Sequence, residues 1–234
     1  MDGLFAVEHV AAVAVIALFA AGLVAAARRR PGRWTTLASL LLAMVLVAAE
    51  FGWWIYLAST GASGSVLASA LPLQLCDAAI FVAAAALLLR RPLLIEITYF
   101  WGLAGTIQAL FTPDLPQHFP SFPYFQYYVA HGGIVAAALF LVVGLRQWPR
   151  PNAVVEVLGL TLVYTALIGL VDAITGANFM YLRSKPPSQT LLDVLGPWPW
   201  YIASAAAIGL VLLLALDAPF RVLRGTGPSK RQRA

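Results

Sequence analysis

The sequence predicts an all-α membrane protein: a bundle of seven transmembrane helices, with the N-terminus outside and the C-terminus in the cytoplasm. Three observations predict it. Of the 234 residues, 61% are hydrophobic and only 11% are charged, where a soluble domain carries about a quarter charged. Only lipid accommodates that much apolar surface. Apolar runs long enough to cross about 30 Å of hydrocarbon recur along the chain, separated by short connectors rich in turn residues. Thirteen of the fifteen Lys and Arg residues fall on alternate connectors and on the tail, the asymmetry that sets membrane orientation.

The first run, near 4–27, opens acidic in "MDGLFAVEH" and closes on "RRR". It therefore reads as a retained span rather than a cleaved signal. The second and third, near 34–58 and 71–89, are joined by "STGASGS" without a basic residue. Arg90 and Arg91 then separate the third from the fourth, near 92–111, and Pro92 suits a first helical turn. The fifth and sixth, near 124–145 and 152–174, flank "RQWPRPN". A longer loop with Arg183 and Lys185 leads to the seventh, near 198–219, where "PWPWY" reads as an interfacial aromatic belt. Residues 1–220 form one transmembrane domain, and 221–234 form a basic cytoplasmic tail. The runs are rich in Ala, Leu and Val and lack the alternation of a membrane barrel.

Several chemistries drop out. The one cysteine excludes an intramolecular disulfide and a Cys-cluster metal site. The sequence holds no Gly-rich phosphate loop, no HExxH and no GxSxG. Neither Lys185, in a loop, nor Lys230, in the tail, suits a Schiff base inside a helix, so a retinal protein is excluded. Basic residues confined to short membrane loops argue orientation rather than nucleic-acid binding. No metal or organic cofactor is expected. The chain has no visible internal repeat, which weakens a transporter of inverted halves.

The polar residues within the spans gather toward the outer ends. His9, Glu50, Cys76 with Asp77, Gln108, His131 and Asp172 lie on six different runs. Ionisable groups in hydrocarbon cost several kcal/mol and usually face a bundle interior. They predict a polar cavity open toward the outer leaflet, lined by Gln74, Asp77, Glu50, His9, Gln108, Asp172 and Asn178. The alternative is a hydrogen-bonded belt that only fixes helix packing. Glu96, Glu156 and Asp217 lie at cytoplasmic helix ends beside basic loops, within reach of water or a cation.

Cys76 reads two ways. A lone buried cysteine is usually inert. Yet Pro72 places it close to a helix N-terminus, and His131 lies at matching depth on another helix, where a base would activate it. Gln74 and helix N–H groups are nearby donors for an oxyanion. The two glycines after His131 allow a neighbouring helix to approach closely.

"LPLQLCD", "FWGLAGTIQALFTPDL", "FPYFQYYVAHGG", "GANFMYLRSKP" and "LLDVLGPWPWY" together resemble the YwaF-like family of bacterial integral membrane proteins. That family looks like a distant relative of a eukaryotic acyltransferase, transmembrane protein 164, which remodels ether phospholipids. The resemblance implies Cys76 as nucleophile and His131 as general base. It also implies a histidine in many relatives where this chain has Gln74. The function expected is a Cys/His-dependent lipid acyltransferase or ester hydrolase at the outer leaflet of a bacterial cytoplasmic membrane, acting on phospholipids or lysolipids. The alternative is a non-enzymatic carrier or lipid-binding protein built around the polar cavity.

Overall fold

The computed structural model describes residues 7–64, 66, 70–113, 115, 117–186 and 190–225. Seven principal helices carry the fold: α1 (Val7–Arg29), α2 (Trp34–Ser59), α3 (Leu75–Leu89), α4 (Pro92–Phe111), α5 (Phe122–Gly144), α6 (Ala153–Thr175) and α7 (Trp200–Gly225). Short 3-10 turns, Phe179–Tyr181 and Leu191–Leu195, interrupt the connection from α6 to α7. Six of these helices are long and apolar enough to cross a membrane; α3 is apolar but has only 15 residues.

The bundle is inverted relative to a soluble protein. Large apolar side chains such as Leu18, Leu41, Val155, Val163 and Ile174 point outward on α1, α2 and α6. The interior is built on small ones. Ala79, Ala83 and Ala86 on α3 and Ala136, Ala137 and Ala138 on α5 have no exposed surface. Small seams of this kind let helices pack closely where burial from water supplies no drive. Phe100, Ile134, Phe140 and Leu46 fill the gaps they leave.

The glycines after His131 serve this packing. A Cβ on Gly132 would stand 2.6 Å from the Ile16 side chain of α1, and one on Gly133 would stand 2.8 Å from Leu46 of α2. Both are too close for real side-chain contacts, so α5 admits α1 and α2 through glycine.

Two departures from the sequence reading shape the site. The third helix begins at Leu75 rather than 71, and Pro72 lies in a turn ahead of it. Cys76 consequently occupies the second helical position. Within α4, Trp101–Thr106 winds as a π-helix. Gly102 packs there against Ile134 and Ala138, and Gly105 against Leu75. A π-turn widens the helix and rotates the residues beyond it, and here it turns Thr106 inward to 1% exposure.

The end of the bundle that holds the arginine-rich connectors is cross-braced. The Glu96 carboxylate, 2% exposed, accepts from Arg150 at three points, at 2.6, 2.7 and 2.9 Å. Arg150 also reaches Glu156 at 2.5 Å. The hydrogen bond to Glu96 holds the Arg150 guanidinium pKa above its ordinary value. Asp217, fully buried, accepts from Arg221 and Arg224, and Arg224 also donates to the Pro149 carbonyl. The three acids that the sequence places beside basic loops therefore meet guanidinium groups.

Candidate functional site

A cavity of about 360 Å3 opens at the opposite end, between α2, α3, α5 and the connection from α4 to α5. Glu50 and Trp53 line it from α2, Cys76, Asp77 and Ile80 from α3, and Gln126, Tyr127, Ala130, His131 and Ile134 from α5. Leu115 and Gln117 close it from the connecting loop. Cys76, His131, Glu50 and Asp77 thus share one space.

His131 is oriented by its own helix. Its Nδ1 lies 2.8 Å from the carbonyl oxygen of Tyr127, one turn back. A carbonyl only accepts, so Nδ1 carries the proton and Nε2 keeps its lone pair. The ring lies against Tyr127, tilted by 32°, with centroids 4.1 Å apart. Tyr127 is anchored in turn by its hydroxyl, which donates to the Ala109 carbonyl of α4 at 2.8 Å.

Cys76 lies where the first N–H groups of α3 have no helical acceptor. The Thr106 side chain, turned inward by the π-turn of α4, is a hydrogen-bonding neighbour of its thiol. Asp77 takes the backbone N–H of Gln74, which caps the helix start, and lies within electrostatic range of Glu50. Glu50 is 3% exposed, and its Oε1 accepts the Trp54 indole N–H at 3.2 Å. No lysine or arginine is among the described residues lining the cavity.

The structure places the other five expected lining residues elsewhere. His9 is buried against α5, with Nδ1 2.7 Å from the Tyr128 hydroxyl. Gln74 accepts the Met180 N–H on its Oε1 at 2.7 Å, which ties it to the loop beyond α6. Asp172 is fully buried and accepts the Phe179 N–H at 2.9 Å. Asn178 folds its own loop, bonding to Arg183 and Ser184. Gln108 is exposed on the outside of α4. Gln74, Asp172 and Asn178 together pin the loop around Met180 and Tyr181, both held at positive φ. Left-handed backbone at two successive non-glycine residues persists only where contacts over-determine it. The Tyr201 hydroxyl on the Tyr181 carbonyl adds another such contact.

Sequence reasoning did not find Trp53, Thr106, Gln117, Gln126 or Tyr127. The available signal was spacing: Tyr127 stands one helical turn before His131 and Trp53 nearly one turn after Glu50.

Among the described residues, no group of three or more His, Cys, Asp or Glu side chains is placed to hold a metal ion. The family model described as the TMEM164 family matches residues 4–217. An uncharacterized protein of Treponema pallidum (strain Nichols) is 29% identical over 153 residues, covering 64% of this chain and 62% of its own length. The chain thus spans less than two thirds of that relative. No solved structure matches.

Proposed function

Because the chain belongs to the TMEM164 family of membrane proteins, and because its one thiol shares a cavity with an oriented imidazole, we propose that it is a lipid acyltransferase or ester hydrolase. Cys76 is the nucleophile and His131 the general base. The observation that carries this reading is the Tyr127 carbonyl on Nδ1 of His131, which leaves Nε2 as the proton acceptor on a residue that lines the cavity.

In the first half-reaction Nε2 takes the thiol proton and the sulfur attacks an ester carbonyl. The backbone N–H groups that open α3 are the candidate donors to the oxyanion. Thr106 and the Tyr127 ring against His131 hold thiol and imidazole in place. The ester oxygen leaves with the proton from His131, and a thioester remains. Water or an acceptor then resolves it.

The substrate is a membrane phospholipid or lysolipid. The chain crosses the bacterial cytoplasmic membrane seven times, with α3 as the short span and the cavity toward the outer leaflet. The arginine-rich connectors on the opposite end support this orientation.

The test is acyl capture. Purified protein in phospholipid nanodiscs is quenched in acid and digested, and the Cys76 peptide is weighed. An added acyl mass on wild type, absent in Cys76→Ala, is expected. Wild-type protein that takes no acyl group from any phospholipid offered would refute the reading. One observation favours a second reading: Glu50 and Asp77 face the cavity without a basic partner, as in a cation or proton carrier. A carrier tolerates Cys76→Ala.

A further inference from the structure

The cavity has a surplus of hydrogen-bond acceptors. Glu50 commits one carboxylate oxygen to Trp54 and Asp77 takes one backbone N–H, which leaves acceptor capacity on both. His131 donates its only N–H to the Tyr127 carbonyl, so Nε2 is a further acceptor. The Tyr127 hydroxyl is committed to Ala109. The lining includes no guanidinium or ammonium group among the described residues, while Trp53 and Tyr127 supply aromatic walls. Carboxylates, aromatic faces and an absent protein cation are complementary to one chemical class, an organic ammonium.

A phosphate or carboxylate ligand would meet like charge here. A neutral hydroxyl would leave most of the acceptors unanswered. The 360 Å3 volume also holds Cys76 and His131, so whatever sits on the carboxylates is beside the reacting sulfur.

We propose that the acyl acceptor is a primary amine, bound as its ammonium by Glu50 and Asp77 beside the Cys76 thioester. This rests on the acyl-transfer reading above. His131 Nε2 takes one proton from the ammonium, and the neutral nitrogen attacks the thioester carbonyl carbon. The C–S bond breaks, and the sulfur recovers its proton from His131. The second proton on the attacking nitrogen passes to the carboxylate pair and then to water. Over both halves an ester and an ammonium become an amide, an alcohol and a proton. The amine comes from an ethanolamine-type lipid headgroup or from a free long-chain amine.

Wild-type protein is placed in phosphatidylglycerol nanodiscs, which contain no amine, with isotope-labelled acyl chains. Three acceptors are offered separately: an ethanolamine-headed lysolipid, its choline-headed counterpart and dodecylamine. Products are read by mass spectrometry before and after mild alkaline methanolysis, which cleaves esters and spares amides. The expected result is labelled, alkali-stable amide from the ethanolamine lysolipid and none from the choline lysolipid. Amide from dodecylamine alone also supports the proposal and identifies a free amine as the source. In Glu50→Gln and Asp77→Asn the ratio of amide to released fatty acid should fall about tenfold, the loss of one charge-assisted hydrogen bond. A Cys76 thioester whose chain passes only into alkali-labile ester, or equally to both lysolipids, overturns the amine acceptor and leaves the thiol mechanism standing. Absence of any thioester refutes that mechanism first, and the amine acceptor with it.

Discussion

The two ends of the bundle treat buried acids in opposite ways. At the arginine-rich end, Glu96 and Asp217 are at most 2% exposed, and each is clasped by guanidinium. At the cavity end, Glu50, at 3%, has an indole N–H and no cation among the described residues, and Asp77 has a backbone N–H and its like-charged neighbour. A buried ion pair whose partners satisfy one another serves architecture. Unpaired acids around an open space keep acceptor capacity unfilled, and that is the ground of the ammonium proposal. The contrast separates acids that hold the fold from acids that line the cavity.

The largest effect expected is on chemistry at the cavity end. His131→Ala should slow Cys76 acylation at least about a hundredfold, the usual worth of a general base. Cys76→Ser should lose more, because a hydroxyl is poorly activated where a thiol is required. The double variant should be little slower than Cys76→Ser, since the two act as one unit. Rates come from the acyl-capture assay. Additive losses would mean that the imidazole acts apart from the thiol.

Next comes stability at the arginine-rich end. Arg150→Ala removes both guanidinium bonds and leaves the buried Glu96 carboxylate only the backbone N–H of residue 150, which costs about 3 kcal/mol. Glu50→Gln keeps an oxygen for the Trp54 indole and removes a charge that no cation answers, so it should change stability by under about 1 kcal/mol. Unfolding in mixed micelles compares the two. Equal losses would erase the distinction between the ends.

Hydropathy made the bundle legible, because a membrane span needs little beyond apolar length. It was less informative at α3, where the apolar run includes the turn at 71–74 and the helix itself is shorter. The π-turn of α4 was hidden, since Gly102 and Gly105 are compatible with either helix type until packing on Ile134 and Leu75 selects one. Depth brought Glu50, Cys76, Asp77 and His131 to one level. Depth is one coordinate, however, and each residue along a helix also turns by about 100°. That rotation sends Gln108 outward and His9 onto Tyr128, though the sequence assigns both the same depth. Azimuth depends on which faces pack, and packing is fixed by partners that the linear pattern does not reveal.

Two glycine substitutions test whether the cavity depends on the seam behind it, and Gly159→Ala has the smallest effect of all. A Cβ at Gly132 meets Ile16 at 2.6 and 2.7 Å. Ile16 is branched and partly buried between α1 and α5, so its side chain or its helix must shift. Gly132→Ala should cost about 1–3 kcal/mol, as overpacking does. It should also lower the acylation rate, because His131 is the adjacent residue on the displaced helix. Gly159 of α6 has no atom within 4 Å of its added Cβ. Gly159→Ala should be neutral or stabilising by up to about 1 kcal/mol, through lost freedom in the unfolded chain. Both are measured by the same unfolding and acylation assays. If Gly132→Ala loses stability but keeps its rate, α5 moves as a rigid unit with the thiol, and the seam acts on the fold alone. If Gly159→Ala slows acylation, then α6, which contributes no side chain to the cavity lining, would be mechanically coupled to it.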